Sequence, residues 1–438
     1  MKTDFINELG VMFTENNSIS DDIYNKLNVK RGLRNKNGTG VLVGLTKIGS
    51  VLGYSIDKDG KKIPADGKLY YRGIPIEKLV SLFKKEKTFC FEKTIFLLLF
   101  GKVPSNFELK MFISTLKEYQ HLPDEFIEDF ILRKPSTDIM NQLQRSVLCL
   151  YTLDENPDDV SLSNLIDQSL NLIAKFPSLL VYCYQACNYK HFNKSLIIHN
   201  PVEEYSIAQN VLHMLRSDNQ FTELEAEVLD LILVIHAEHG GGNNSTFTSH
   251  VVSSTRTDTY SSISASIGSL KGPMHGGANS MVTQMIEDMK KNSNPYDEIK
   301  LKEYLKKIFN KETFDKKGRI YGMGHAVYTI SDPRAVLLKK KAYELAKEKN
   351  ALEEFELFSN IEKLTKERIE DMTIYELIKY LTKIGNWKYL EHGKSKSFSV
   401  KLFYDVVSGT TNAQTVIQEI KEMFMANEKM TENISENF

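Results

Sequence analysis

The sequence predicts a mostly α-helical protein of two helical domains with a short β-hairpin near the N-terminus. Three observations carry this. Apolar residues recur at three- and four-residue spacing along most of the chain. Prolines are few, 11 in 438 residues, and punctuate these stretches. Strand-like segments concentrate near the N-terminus, at residues 40–53 and 68–71, with Asp57-Lys58-Asp59-Gly60 as a hairpin turn between them.

The helical faces appear in order. Leu79, Val80 and Phe83 form one, and Phe96, Leu99 and Phe100 the next. Phe126, Ile127, Phe130 and Ile131, then Ile166, Leu170 and Ile173, then Val228, Leu231, Ile232 and Ile235 continue the pattern. Pro123, Pro135, Pro157, Pro177 and Pro201 read as breaks between successive helices. The polar stretch 292–295 interrupts the pattern, and the chain beyond it is richer in Lys and Glu, with amphipathic helices at 335–349 and 352–371. This divides the protein into a large helical domain, 1–283, a smaller and more solvated one, 284–395, and a C-terminal segment, 396–438. That last segment carries an amphipathic helix over 412–426 and a polar end beyond Met430.

Composition narrows the function. Hydrophobic residues make up 41% and charged residues 26%, as in a soluble enzyme with a sizeable core. A net charge of −1 gives no basic field for nucleic acid or anionic lipid. Lysine runs such as 339–341 read as solvated helix faces. The four cysteines, Cys90, Cys149, Cys183 and Cys187, lie in apolar surroundings without a CxxC pattern and read as buried free thiols. The first residues carry acids and lack a long apolar stretch, so neither a signal nor a transit peptide is expected. The longest apolar run is far short of a membrane span, and the expected location is the cytoplasm.

Five of the ten histidines fall between residues 236 and 325: His236, His239, His250, His275 and His325. His236-Ala237-Glu238-His239 lacks the spacing of a zinc-protease helix. A metal site from His236, His239 and His250 is a lesser alternative to histidines that support helix ends, and no metal is expected. His239 precedes Gly240, Gly241 and Gly242, which let a ligand approach the backbone. His275, in Gly-Pro-Met-His-Gly-Gly, reads as a ring held at a helix start, where backbone N–H groups favour a developing negative charge. His325 follows Gly322-Met323-Gly324, a turn able to cradle a nucleotide-like group, and Arg334 follows Asp332-Pro333, placed to clamp a carboxylate. Together these residues point to acid–base chemistry on an anionic substrate.

The stretches HAEHGGGNNSTFTSHVVSST, GSLKGPMHGGAN and RIYGMGHAVYTISDPR, in this order and spacing, resemble the citrate synthase family, as do NVKRGLRNKNGTGVLVGLTKIG and GKLYYRGIPIEKLV. The resemblance runs from about Leu27 to about Arg368. It implies the family's two-domain multi-helical fold and a homodimer. It further implies an acyltransferase of the tricarboxylic acid cycle that condenses acetyl-CoA with oxaloacetate, the acyl group becoming alkyl on transfer. The CoA thioester is then a co-substrate, and no resident cofactor is expected. Carried across by position, His275 stabilises the enolate of acetyl-CoA and His325 polarises the oxaloacetate carbonyl. His239, Asn243 and Arg334 bind oxaloacetate, and Gly322, Met323, Gly324 and Ala326 contact CoA. The same motifs are shared by 2-methylcitrate synthase.

The C-terminal part departs from the family pattern. The aspartate that removes the α-proton sits in a motif resembling Asn-Val-Asp-Phe-Tyr-Ser-Gly, and this chain holds no intact copy. Phe403-Tyr404-Asp405-Val406-Val407-Ser408-Gly409 keeps the aspartate and the Ser-Gly pair, which makes Asp405 the candidate base. No arginine follows Arg368, although the family uses two more there. Three readings compete: a diverged enzyme using Asp405, a replaced gene end, and a homologue that binds ligand without turnover.

Overall fold

The computed structural model describes residues 46–56, 62–85, 89–324, 327–328 and 330–370, with isolated positions at 11, 23, 26 and 41. The elements below lie within Gly44–Thr373, part of one compact unit. Among the described residues the protein is mostly helical with one small sheet. The expected helix at 412–426 and Asp405 lie outside the described residues.

The predicted hairpin is present. Strand β1 (Gly49–Ile56) pairs antiparallel with β2 (Lys62–Tyr71), in a register that sets Gly49 opposite Tyr71, with an irregularity between Leu52 and Tyr54. The two-residue β3 (Ile74–Pro75) adds to the other edge of β2. Strand β2 begins six residues before the predicted start at Lys68. Pairing with β1 carries it across Pro64 and Gly67, residues that propensity alone would assign to a loop. The turn itself lies outside the described residues.

Leu69 and Tyr71 of β2 are fully buried against helix α1 (Ile76–Lys85), where the predicted face of Leu79, Val80 and Phe83 turns inward together with Ile76. Helix α2 (Phe91–Phe100) contributes Leu97 to the same core. Its buried residues run from Glu92 to Leu97, while Leu99 and Phe100 of the predicted face are exposed. Helix α3 (Asn106–Tyr119) opens on a capping box between Ser105 and Glu108 and buries Phe112 and Leu116.

A short α4 (Asp124–Phe126) continues into a π-helical turn over Ile127–Leu132 and is followed by α5 (Ile139–Cys149). Helix α6 (Leu162–His191) is the longest at 30 residues. Pro177, predicted to separate two helices, lies inside it. Leu179, Val181, Tyr182 and Cys183 just beyond it are almost fully buried, and this packing outweighs the backbone hydrogen bond that proline removes. The other predicted breaks fall between helical segments. The four thiols are free, with Cys183 and Cys187 buried and Cys90 and Cys149 half-buried.

Helices α7 (Ile207–Leu215) and α8 (Glu223–His236) each open on a capping box. Of the predicted face of α8, Leu231 and Ile235 pack on the hairpin core together with Val234, while Ile232 is half-buried. Helices α9 (Asn244–Ser253) and α10 (Thr259–Lys271) follow. Beyond the turn that holds His275, α11 (Ala278–Asn292), α12 (Glu298–Phe309) and α14 (Leu352–Glu370) build a core of their own around Met289, Leu301, Ile308 and Leu357. Helix α13 (Pro333–Glu348) instead lays Leu337 and Leu338 on the hairpin core. Lys341 on α13, predicted as solvated, is largely buried between Glu227 of α8 and Glu344. No helix among the described residues is long and apolar enough to cross a membrane.

One buried charge ties α2 to α8. Both carboxylate oxygens of Asp230 accept backbone N–H groups at the start of α2, from Cys90 at 2.9 Å and Phe91 at 3.0 Å. Burial outweighs these donors and pushes the carboxyl from its usual 3.8 up to about 7, with neighbouring Glu92 acting in the same direction. The folded chain thus holds a proton that the unfolded chain releases between pH ~4 and ~7, so stability from this group rises as pH falls through that window. Thermal unfolding followed by circular dichroism at pH ~5 and ~8 checks this. The parent should lose roughly 1–4 kcal/mol more than Asp230→Asn on going to the higher pH, at about 1.4 kcal/mol per pKa unit. Equal losses in the two proteins would contradict it.

Candidate active site

The site is built on the loop that follows α8, the turn between α10 and α11, and the segment leading into α13. Tyr71 fixes the first of these. Its buried hydroxyl donates to the Val234 carbonyl at 2.9 Å and accepts the Glu238 N–H at 3.2 Å, so β2 holds the chain where α8 ends. Burial raises the Tyr71 phenol well above its usual pKa, which keeps this donor protonated. The Glu238 carboxylate then accepts the Gly240 N–H at 2.5 Å.

Asn243 is the N-cap of α9. Its Oδ1 accepts the backbone N–H of Ser245 at 2.8 Å and of Thr246 at 3.3 Å. This fixes the amide orientation and leaves Nδ2 facing His275 Nε2 at 3.3 Å. An amide nitrogen donates, so Nε2 must accept. The other ring nitrogen, Nδ1, lies 3.2 Å from the Ser269 carbonyl, which only accepts, so Nδ1 carries the proton. His275 is therefore a neutral imidazole whose tautomer is set by two neighbours. Its ring lies between the C-terminal end of α10 and the N-cap of α9, and the residue itself stands three positions before α11.

His239, half-buried, meets the Tyr328 ring edge-to-face at 5.6 Å between centroids. The Arg334 guanidinium lies over the same ring, 5.6 Å from its centroid. Arg334 does form the predicted bidentate clamp, but on Asp332, with Nε to Oδ1 at 3.0 Å and Nη2 to Oδ2 at 2.7 Å. Asp332 is also the N-cap of α13 and accepts the Arg334 N–H at 3.0 Å. Burial acts to lower the guanidinium's pKa, and Asp332 more than offsets it, so the net shift is upward. Burial and the nearby Asp332 push the Tyr328 phenol up to about 12.

The segment before α13 rests on the hairpin. A Cβ at Gly53 would lie 2.0 Å from the Val327 carbonyl oxygen, and one at Gly67 would lie 2.2 Å from the Ser331 carbonyl oxygen. The Gly67 N–H donates to that Ser331 carbonyl at 3.1 Å, and the Ser331 hydroxyl donates to Asp66 at 2.7 Å. Gly322 and Gly324 both adopt left-handed backbone, at φ +87° and +83°, and Met323 between them packs on the α11, α12 and α14 core.

The structure thus brings Asn243 together with His275, and His239 with Arg334 through Tyr328. His325 and Ala326 lie outside the described residues, as does Asp405. His236 is exposed and its Nδ1 donates to the Ile232 carbonyl at 2.8 Å, the helix-end role considered for it, while His250 is exposed on α9. Among the described residues no group of three or more His, Cys, Asp or Glu side chains is arranged to hold a metal ion.

The family model described as citrate synthase, C-terminal domain, matches residues 36–379. A citrate synthase from Deinococcus radiodurans is 30% identical over 340 residues, covering 77% of this chain and 82% of the relative. The chain belongs to the citrate synthase family. A 2-methylcitrate synthase from Shewanella oneidensis is 30% identical over 280 residues, covering 64% of this chain and 67% of the relative. The crystal structure of citrate synthase from Pyrobaculum aerophilum superposes with a TM-score of 0.59 at 28% identity, covering 74% of each chain. This family is one of transferase enzymes, and the mostly helical fold is common to it and this protein.

Sequence reasoning missed Tyr328 and Asp332 within this family site. Tyr328 sits in the segment singled out, but only burial beside His239 and Arg334 marks it. Two substitutions test the architecture. Gly53→Ala should destabilise the fold by about 1–3 kcal/mol, because the obstructing atom is backbone. Gly242→Ala, with nothing within 4 Å of its Cβ, should change stability by no more than about 0.5 kcal/mol. Equal denaturation midpoints would refute the cradle. Asn243→Ala should cost about 1 kcal/mol as a lost cap, and it should shift the His275 ring nitrogens in a ¹⁵N NMR spectrum. An unchanged tautomer signature would show that Asn243 does not set it.

Proposed function

We propose that this chain binds oxaloacetate and acetyl-CoA and condenses them to citrate and free CoA, acting as a cytoplasmic homodimer. The observation that carries the reading is the neutral His275 held between Asn243 and Ser269. A thioester α-proton is too weakly acidic for a carboxylate to remove unaided, so an N–H donor must meet the oxyanion as it forms. In the described geometry the Nδ1–H is engaged by the Ser269 carbonyl. Release of that carbonyl on substrate binding turns the Nδ1–H to the thioester oxygen while Nε2 still accepts from Asn243.

In this scheme Asp405 takes the methyl proton and His275 hydrogen-bonds the enolate oxygen. The enolate carbon attacks the ketone carbon of oxaloacetate, and His325 protonates the alkoxide. Water then cleaves the citryl thioester to citrate and CoA. His239 and Arg334 hold the oxaloacetate carboxylate, with Arg334 shared between substrate and Asp332. Gly322, Met323, Gly324 and Ala326 contact CoA. The separate core of α11, α12 and α14 supports a smaller helical domain that closes over the substrates and excludes water. Leu162 and Ile166 near the start of α6, and Leu180 and Tyr184 further along it, are exposed apolar residues, which supports a subunit contact.

A second reading, a homologue that binds ligand without turnover, is favoured by the absence of arginine after Arg368 and by the altered surroundings of Asp405. Release of CoA from acetyl-CoA with oxaloacetate decides between them. His275→Ala should lower kcat about 10²–10³-fold, and Asp405→Ala should remove most of the remaining activity. Near-normal turnover in Asp405→Ala would reject that base. Saturable oxaloacetate binding with no CoA release in the parent would establish the second reading. Faster CoA release from propionyl-CoA than from acetyl-CoA would make the reaction that of a 2-methylcitrate synthase.

A further inference from the structure

Tyr328 is in contact with three parts of the site at once. Its ring stands at 89° to the His239 imidazole, with 5.6 Å between centroids, and the Arg334 guanidinium lies over it at 5.6 Å. On the hairpin side, a Cβ at Gly67 would lie 2.4 Å from Tyr328 Cδ1, and one at Gly53 would lie 2.8 Å from Tyr328 Cα. Ring and backbone therefore both rest on the β1–β2 sheet, and the ring has no room to withdraw in that direction. Tyr328 is 5% exposed with its hydroxyl oxygen buried, so what it offers to His239 and Arg334 is its ring. The phenol, pushed up to about 12 by burial and Asp332, stays protonated and sets no charge against an anion.

The guanidinium of Arg334 must be oriented both in its plane and out of it. Asp332 takes the Nε–H and one Nη2–H, which fixes the group within its own plane. The hydrogens on Nη1 and the outer one on Nη2 lie on the adjoining edge, a fork that fits a carboxylate. Hydrogen bonds in the plane resist tilting weakly. The π face of Tyr328 supplies that second restraint, because it attracts the cation lying over it. The same ring sets the plane of His239 through an edge-to-face contact, a geometry that aromatic pairs prefer.

We propose that Tyr328 is a positioning residue, whose ring aligns His239 and the Nη1–Nη2 fork of Arg334 to receive the oxaloacetate carboxylate. The inference rests on the proposed role of His239 and Arg334 as carboxylate ligands. It adds that the ring, and not the hydroxyl, sets their alignment. Two ligands held in place by one wedged ring need little further ordering when the substrate arrives, and binding is tighter by that amount.

Calorimetric titration of the full chain with oxaloacetate tests this. Tyr328→Leu should weaken oxaloacetate about 10-fold, and Tyr328→Phe should stay within about 2-fold of the parent. Tyr328→Phe made with successively more fluorine atoms on the ring keeps the shape and drains the π face. Oxaloacetate affinity should fall stepwise along that series, by about 3- to 10-fold in all, while CoA affinity and Tm stay unchanged. A ring that merely fills space would give no such trend. Constant affinity across the fluorinated series, or an equal loss in Tyr328→Phe and Tyr328→Leu, would overturn the inference and leave the carboxylate-binding reading in place. A parent that binds no oxaloacetate would overturn both. If Tyr328→Leu does not fold, the fluorinated series decides alone.

Discussion

The close approach of one backbone to another governs this site. Val327, Tyr328 and Ser331 lie on the β1–β2 hairpin at positions where a single methyl group would collide with a carbonyl oxygen. Glycine at 53 and 67 lets that segment reach the sheet, and the Gly67–Ser331 hydrogen bond fastens it. Asp332 then caps α13 and orients Arg334 from a point already fixed by the hairpin. The same hairpin, through Tyr71, holds the end of α8 and the loop bearing His239. A small N-terminal sheet in a helical protein thus positions residues more than 150 positions away in sequence.

Much of the fold was legible because helix burial is periodic. The inward faces of α1 and α8 could be read from residues such as Leu79, Phe83, Leu231 and Ile235, since each meets one core from one side. Helix α2 defeated that reading because it is buried most of the way round from Glu92 to Leu97, leaving no single stripe. Pro177 defeated it for another reason: its local preference yields to packing along a long helix. Within the site, histidines in glycine-rich turns announced themselves by composition. Tyr328 and the Asp332 partner of Arg334 did not, because their roles depend on long-range burial and on which groups are left near one another once the chain has folded.

Arg334 illustrates how much charge arrangement escapes a linear reading. As a sequence feature it is a cation waiting for a carboxylate. In the structure it already has one, two residues before it in the chain, in a partly buried setting where the pair is mutually reinforcing. The guanidinium is thus oriented in advance, with its plane set by Asp332 and its face set by Tyr328.

Asn243 joins two events that are usually treated apart. The amide that closes the first turn of α9 is the same amide whose nitrogen faces His275. If that turn opened, the side chain would be free to rotate, its oxygen would face Nε2, and the imidazole would have to move its proton to answer it. The position of one proton in the His275 ring is thereby a report on whether a neighbouring helix has formed its first turn. Local order and chemical readiness are the same equilibrium viewed from two sides.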